Sequence, residues 1–219
     1  MSLFSRWWLR RQQETPPNLL TRPVDLGAKD YREVDILAVD LELSALDPSQ
    51  GSIVSIGFVP IIKGEIAPGL GKHLLISDHG GVNASATIHG IRDCDAEFGV
   101  PLQTALQQLQ QNSRNKICLF HYATLDLGFI SHAGYQLEPV AVIDTLLVER
   151  RRLQKLSRAV SVDSLRLVEC RHRYGLPDYP AHNSFIDALA TAELLLAQIT
   201  HLTGKESFTI NELVMMSRS

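Results

Sequence analysis

Cysteine is scarce in this sequence. Cys94, Cys118 and Cys170 are the only cysteines among 219 residues, and none belongs to a Cys-x-x-Cys pair. The odd number and the wide spacing argue against a disulfide framework and against a cysteine-based zinc site. The composition fits a reducing, cytoplasmic location, which is the location that we expect.

Long apolar runs and an excess of positive charge are also missing. No run reaches the roughly 20 residues that cross a bilayer. The formal net charge is −3, so nucleic acid could be bound only by a local surface and not by a generally cationic body. The composition, 45% hydrophobic and 21% charged, is typical of a globular protein whose length suits one well-cored domain and is short for two.

We expect one domain at residues 33–203, preceded by an N-terminal arm (1–32) and followed by a C-terminal tail (204–219). The arm carries Trp7 and Trp8 among arginines, without the uninterrupted apolar segment of a secretory signal. Such an arm could lie on a membrane or on nucleic acid. Because basic, tryptophan-bearing helices more often pack on their own domain, we do not expect membrane contact.

The apolar pattern predicts an α/β fold with a mixed, five-stranded sheet flanked by helices. Apolar runs typical of strands occupy residues 35–42, 52–62, 73–76, 116–120 and 140–143. The first three are separated by turn residues and predict an antiparallel meander. The last two each precede a helical period, which predicts parallel strands with crossover helices. The last long helical period spans residues 185–199.

Acidic residues collect where these predicted elements end. Asp40 and Glu42 lie two residues apart on the first strand and therefore project from one face. Asp126 begins a helix directly after a strand, and Asp187 begins the last long helix, five residues after His182. Each position has a structural alternative, as a solvated strand end or as a helix cap with a favourable first-turn charge. Together they place carboxylates at one sheet edge, where a hard divalent cation would relieve their repulsion.

In order and spacing, these motifs resemble the DEDDh exonucleases of the ribonuclease-H-like fold, a family that includes the proofreading epsilon subunit of bacterial DNA polymerase III. Asp40 and Glu42 match the first motif, Asp126 matches the second, and His182 with Asp187 matches the third. The resemblance covers about residues 35–198 and includes the segments Ile88-His89-Gly90-Ile91 and Asp144-Thr145-Leu146.

The resemblance implies a 3′–5′ exonuclease that releases nucleoside 5′-monophosphates from the 3′ end of single-stranded or frayed DNA. It implies two Mg²⁺ or Mn²⁺ ions held by Asp40, Glu42, Asp126 and Asp187. His182 would take the proton from the attacking water, for which the ordinary histidine pKa near 6.5 is suitable. The implied partners are a nucleic-acid 3′ end and a DNA polymerase subunit. The alternatives are an RNA-trimming or oligoribonucleotide-degrading enzyme and a non-hydrolytic polymerase accessory module.

Two positions depart from the family pattern. Leu43-Ser44-Ala45 stands where Thr-Thr-Gly often follows the first motif. We therefore expect Leu43 and Ser44, together with His89, to form a substrate-binding cleft of altered shape. Tyr122 stands where Asn is frequent, which affects the hydrogen bonds around the second motif more than metal ligation.

Overall fold

The computed structural model describes residues 25–77, 99–156, 160–180, 182–203 and 209–218. Its strands are β1 (Ile36–Leu43), β2 (Ile53–Ile62), β3 (Glu65–Ile66), β4 (Lys72–Leu75), β5 (Ile117–Phe120) and β6 (Ala141–Asp144). Its α-helices are α1 (Leu102–Ser113), α2 (Ala123–His132), α3 (Thr145–Lys155), α4 (Leu167–Arg173), α5 (Ser184–Thr203) and α6 (Ile210–Met216).

The strands form one mixed sheet in the order β3-β2-β1-β5-β6, and β4 also pairs with β2. The pairs within the β1–β4 meander are antiparallel, whereas β1 with β5 and β5 with β6 are parallel. The prediction of a mixed sheet flanked by helices is confirmed. The sheet has a sixth strand because β3, only two residues long, follows a tight turn at Lys63 and Gly64, which both have positive φ. A strand of this length has too few residues to show an alternating pattern.

Strand β1 separates two hydrophobic clusters by alternation of its side chains. Leu37, Val39 and Leu41 belong to the cluster that includes residues of α1 and α2. Ile36 and Ala38 belong to the cluster that includes residues of α5 and α6. Because side chains alternate along a strand, the even-numbered residues of β1 that follow Ala38 also project from the face of the sheet that α5 covers.

Helix α5 lies directly against the middle of the sheet. A Cβ atom at Gly57 of β2 would lie 2.1 Å from the backbone carbonyl carbon of Ser184, so only glycine allows this approach. Ala188 and Ala192 are fully buried, and their small side chains keep the helix close to the strands. By length and composition α5 is also apolar enough to cross a membrane, but the same features are expected of a core helix.

Part of the C-terminal segment, α6, packs against the core of the domain. Ile210, Leu213 and Val214 of α6 are buried in the cluster shared with α5. The Ile210 backbone N–H donates to the carbonyl oxygen of Lys29 at 2.9 Å, so residues before 33 also contact the domain. The apolar pattern of α6 is too short for sequence analysis alone to distinguish a packed helix from a tail. Residues 1–24 of the predicted arm lie outside the described residues.

Candidate active site

The first two acidic residues lie on the α5 face of β1. In the antiparallel register, Asp40 is opposite Gly57 and Glu42 is opposite Ser55. Small residues on β2 therefore stand beside both carboxylates and leave space above them. The sequence prediction that Asp40 and Glu42 project together agrees with this geometry.

Helix α5 begins over this space and supplies the third carboxylate. The Ser184 hydroxyl lies 2.8 Å from the Ser55 hydroxyl. The helix is capped by Asn183, whose Oδ1 accepts from the backbone N–H groups of the second and third helical residues at 3.1 and 3.2 Å. This cap replaces the one that Ser184 would make in a capping box. One turn later Asp187 meets the β1 pair, and the three groups Asp40, Glu42 and Asp187 each offer an oxygen within 4.8 Å of the others.

Asp126 approaches β1 from the other side. Parallel pairing between β1 and β5 ends at Ala38 and Leu119, so the following part of β1 is open on that edge. Asp126, in the first turn of α2, is only 5% exposed. A backbone hydrogen bond from Leu41 lowers the pKa of its carboxyl group, although burial and the charge of Asp144 outweigh this and raise the pKa well above the ordinary value.

The start of α2 depends on an unusual backbone conformation. Tyr122 precedes the helix with φ 84° and ψ 55°, a left-handed conformation that Asn adopts more readily than an aromatic residue. The Asp144 carboxylate accepts from the N–H groups of Tyr122 at 3.1 Å and Ala123 at 2.9 Å, and it also caps α3 by accepting from Leu146 at 2.9 Å. The Asp144 side chain therefore joins the N-terminal end of α2 to the N-terminal end of α3.

The acidic cluster carries more negative charge than its protein surroundings balance. Burial, followed by the charges of Asp126, Asp187 and Glu42, raises the pKa of Asp40 well above its ordinary value. Burial and the Glu42 charge raise the pKa of Asp187 to about 6. A group of hard oxygen donors with raised pKa values fits a divalent cation such as Mg²⁺ or Mn²⁺, which would reverse these shifts.

His182 lies beside the cluster at the start of the α5 segment. Its backbone has φ 70°, and its N–H donates to Asp187 Oδ2 at 3.0 Å. The residue is exposed and contributes to the wall of the same cavity as the carboxylates. The structure thus brings together His182, Asp40, Glu42 and Asp187, with Asp126 buried behind Leu41.

A cavity of about 440 Å³ opens over this cluster. Its lining contains the residues Asp40, Leu41, Glu42, His121, Tyr122, Leu125, Arg166, Leu167, Val168, Arg171, Asp178, Tyr179, His182, Asp187 and Ala190. One wall is acidic, and the opposite wall, from α2 and α4, is largely apolar. This volume falls within the range that is usual for small-molecule sites in proteins.

Two predicted substrate-binding residues do not line the cavity. Leu43 is 9% exposed and packs in the cluster with α1 and α2, because strand alternation turns it away from Glu42. The Ser44 hydroxyl accepts from the Ser52 backbone N–H at 2.8 Å and closes the loop between β1 and β2. Neither side chain therefore lines the cavity over the acidic cluster. The third, His89, lies outside the described residues.

Sequence reasoning missed the part of the wall that α4 and the following segment supply. Arg166, Arg171 and Tyr179 line the cavity, yet the motifs of the first strand and last helix do not indicate them. His121 also lines the cavity, and its ring nitrogens lie 2.8 Å from Thr145 Oγ1 and 2.9 Å from the Leu165 carbonyl oxygen. Burial lowers its pKa to about 4.

Comparison with known proteins shows the family of this chain. The model of the exonuclease family RNase_T matches residues 37–195. A relative, the PolC-type DNA polymerase III of Streptococcus pneumoniae, is 25% identical in an alignment of 186 residues that covers 82% of this chain and 12% of that protein. This chain therefore spans only a small part of the length of the curated relatives that it matches.

Two solved structures share the fold. Exonuclease X in complex with 5′ overhanging duplex DNA gives a TM-score of 0.61 at 18% identity, covering 82% of this chain and 99% of that one. The nuclease domain of 3′hExo, a DEDDh family member bound to rAMP, gives a TM-score of 0.64 at 12% identity, covering 82% and 98%.

Proposed function

This chain belongs to the RNase_T exonuclease family, and we propose that it is a DEDDh-type enzyme that removes nucleoside 5′-monophosphates one at a time from the 3′ end of single-stranded or frayed DNA. The observation that carries the proposal is the convergence of Asp40, Glu42 and Asp187 within 4.8 Å, beside His182 and in front of buried Asp126. This set contains all the side chains that the motifs predict for the reaction.

The carboxylates would hold two divalent ions. Asp40, whose pKa the charges of the other three acidic groups raise, would hold both ions, while Glu42 and Asp187 would serve one and Asp126 the other. When bound, the ions would lower the pKa of a water molecule and neutralise charge on the scissile phosphate. The raised pKa values of Asp40, Asp126 and Asp187 support this assignment, because they show carboxylates whose charge the protein alone does not balance.

His182 would act as the general base. Its place on the cavity wall, with its backbone N–H tied to Asp187, puts the imidazole beside the acidic cluster. It would accept the proton from the attacking water while the water oxygen bonds to phosphorus and the bond from phosphorus to the 3′ oxygen of the preceding nucleotide breaks. The products are a nucleoside 5′-monophosphate and a strand with a new 3′ hydroxyl.

DNA is the proposed substrate because the relative's name is that of a DNA polymerase and because the exonuclease X structure contains DNA. RNA trimming is the second candidate, since the 3′hExo domain is bound to a ribonucleotide. A non-hydrolytic accessory role is disfavoured by the complete set of four carboxylates and His182. We also propose a polymerase subunit as partner, on the basis of the PolC-type relative, and a cytoplasmic location, which two buried free thiols, Cys118 and Cys170, support.

The proposal is tested with matched DNA and RNA oligonucleotides, single-stranded and duplex, each labelled at either end. In Mg²⁺ or Mn²⁺ we expect a 3′ label to appear at once as mononucleotide and a 5′ label to remain on a stepwise-shortened strand. Chelator and the Asp187→Asn variant provide the controls. Absence of mononucleotide from every substrate in both metals would refute the proposed function, and faster release from RNA would favour the second candidate.

A further inference from the structure

The segment between α4 and α5 holds the candidate general base but has no helix or strand of its own in its described residues 174–180. Its conformation therefore depends on tertiary contacts. On the outer side, His172 Nε2 lies 2.6 Å from Asp178 Oδ1 in a pair whose side chains are both largely exposed. An exposed pair contributes little rigidity, so the buried contacts of the segment decide its position.

Arg171 makes the contacts of the part of the segment nearest His182, at Pro177 and Tyr179. Only 4% of the residue is exposed. Its guanidinium donates to the carbonyl oxygens of Pro177 at 2.8 Å and Ala190 at 2.7 Å. It also pairs with Glu193 Oε2 at 2.9 Å and stacks on the Tyr179 ring at 4.7 Å from the ring centre. One side chain thus joins α4, α5 and the connecting segment.

Tyr179, Arg171 and Glu193 each contact the other two. Its hydroxyl donates to Glu193 Oε1 at 2.8 Å, so the ring and the guanidinium share one carboxylate. Tyr179 lies three residues before His182 in the chain, and Glu193 lies on α5 after Asp187. Arg171 and Tyr179 also line the cavity together with His182. These contacts fix the segment against the same helix that carries Asp187.

We propose that Arg171 is a positioning residue that, through Tyr179 and Glu193, holds the 177–180 segment against α5 and thereby places His182 beside Asp187. The proposal rests on the proposed function, in which His182 accepts a proton. The planar guanidinium is required because its acceptors lie in different directions and its face carries an aromatic ring. A lysine ammonium has donors for some of these acceptors, but it has neither the rigid planar fork nor a face that can stack on the Tyr179 ring.

The test compares Arg171→Met with Arg173→Met in the full chain. Arg173 lies on the same helix, but its guanidinium pairs with Glu149 at 2.8 Å and does not line the cavity. We expect Arg171→Met to lower kcat by about 100-fold, the scale of a misplaced catalytic group, while Mn²⁺ affinity by calorimetry is retained. Arg173→Met should lower the melting temperature but preserve kcat, and Arg171→Lys should recover only part of the lost rate.

A double-mutant cycle with His182→Ala shows whether Arg171 acts through His182. If it does, Arg171→Met has no further effect in the His182→Ala background. An equal loss of rate in both backgrounds, or unchanged kcat in Arg171→Met, would overturn the proposal. Should Arg171→Met fail to fold, Tyr179→Phe and Glu193→Gln test the same contacts with smaller changes, and unchanged kcat in both would overturn it.

Failure of the proposed function has a different signature. It would appear as a wild-type protein that releases no nucleotide. Positioning would then be judged by the imidazole NMR signal of His182, assigned by its loss in His182→Ala. A shift of that signal in Arg171→Met but not in Arg173→Met supports positioning, and an unchanged signal refutes it.

Discussion

Replacing Asp40 by asparagine should stabilise the metal-free protein at pH 8. Asp40 faces three other acidic side chains, and burial together with their charges raises its pKa well above the ordinary value. Asparagine keeps nearly the same shape and removes one negative charge. The folded protein therefore gains stability because the repulsion between Asp40 and its acidic neighbours is removed.

The pKa of Asp187 gives the scale of the free energy that burial and repulsion cost at this site. Its folded pKa of about 6 lies above the ordinary value of 3.8, so the folded state holds this proton more tightly than the unfolded state. Stability from this group is therefore fully present below pH 4 and is lost as the pH rises through 6. A shift of about two units corresponds to roughly 3 kcal/mol at pH 8. The charge of Asp187 is one of the causes that raise the pKa of Asp40, and Asp187 is partly exposed, so we expect Asp40→Asn to recover about 1–2 kcal/mol of this cost.

Urea denaturation in chelator at pH 5 and pH 8 measures this gain. The wild type should lose stability between these pH values, and Asp40→Asn should lose less. Mn²⁺ at 100 times its dissociation constant should stabilise the wild type by about 2.7 kcal/mol and the variant much less. Asp35→Asn, at an exposed position just before β1, is the control and should change neither quantity. A variant that is less stable than the wild type at pH 8 in chelator would refute the repulsion among these carboxylates.

Three further predictions concern the base, the helix contact and the altered first motif. His182→Ala should slow hydrolysis by about 10²–10⁴-fold while calorimetry finds Mn²⁺ binding intact, and loss of binding would make the residue a ligand. Gly57→Ala should lower the free energy of unfolding by about 3 kcal/mol or more, because the new Cβ would lie 2.1 Å from Ser184. Gly69→Ala, where nothing lies within 4 Å, should be near neutral, and equal urea midpoints for the two variants would contradict this packing. Leu43→Thr should lower the free energy of unfolding by about 1–3 kcal/mol without changing KM on DNA or RNA. A changed KM at unchanged stability would indicate instead that Leu43 contacts the substrate.

The acidic site could be predicted from sequence because its parts follow local rules. Alternation along β1 places Asp40 and Glu42 on one face, and the strand-to-helix transitions place Asp126 and Asp187 at the ends of elements. Those rules depend only on neighbours in the chain. They hold whatever the rest of the fold does, so the order and face of the acidic residues follow from the sequence.

The supporting contacts could not be predicted in the same way. Ser184 has the sequence of a helix cap, but its hydroxyl bonds to Ser55, and Asn183 caps the helix instead. Each of these side chains had two local options of similar energy, and the approach of α5 to β2 selected one of them.

The sequence alone thus established the mixed sheet, the helix that covers it and the identities of the acidic residues, because hydrophobic periodicity and element order are local properties. Only the tertiary structure decided that α6 joins the core, that Gly57 admits the start of α5, and that Arg171 ties the His182 segment to that helix. These contacts join residues far apart in the chain, and their energies depend on burial and on partners that no local pattern specifies.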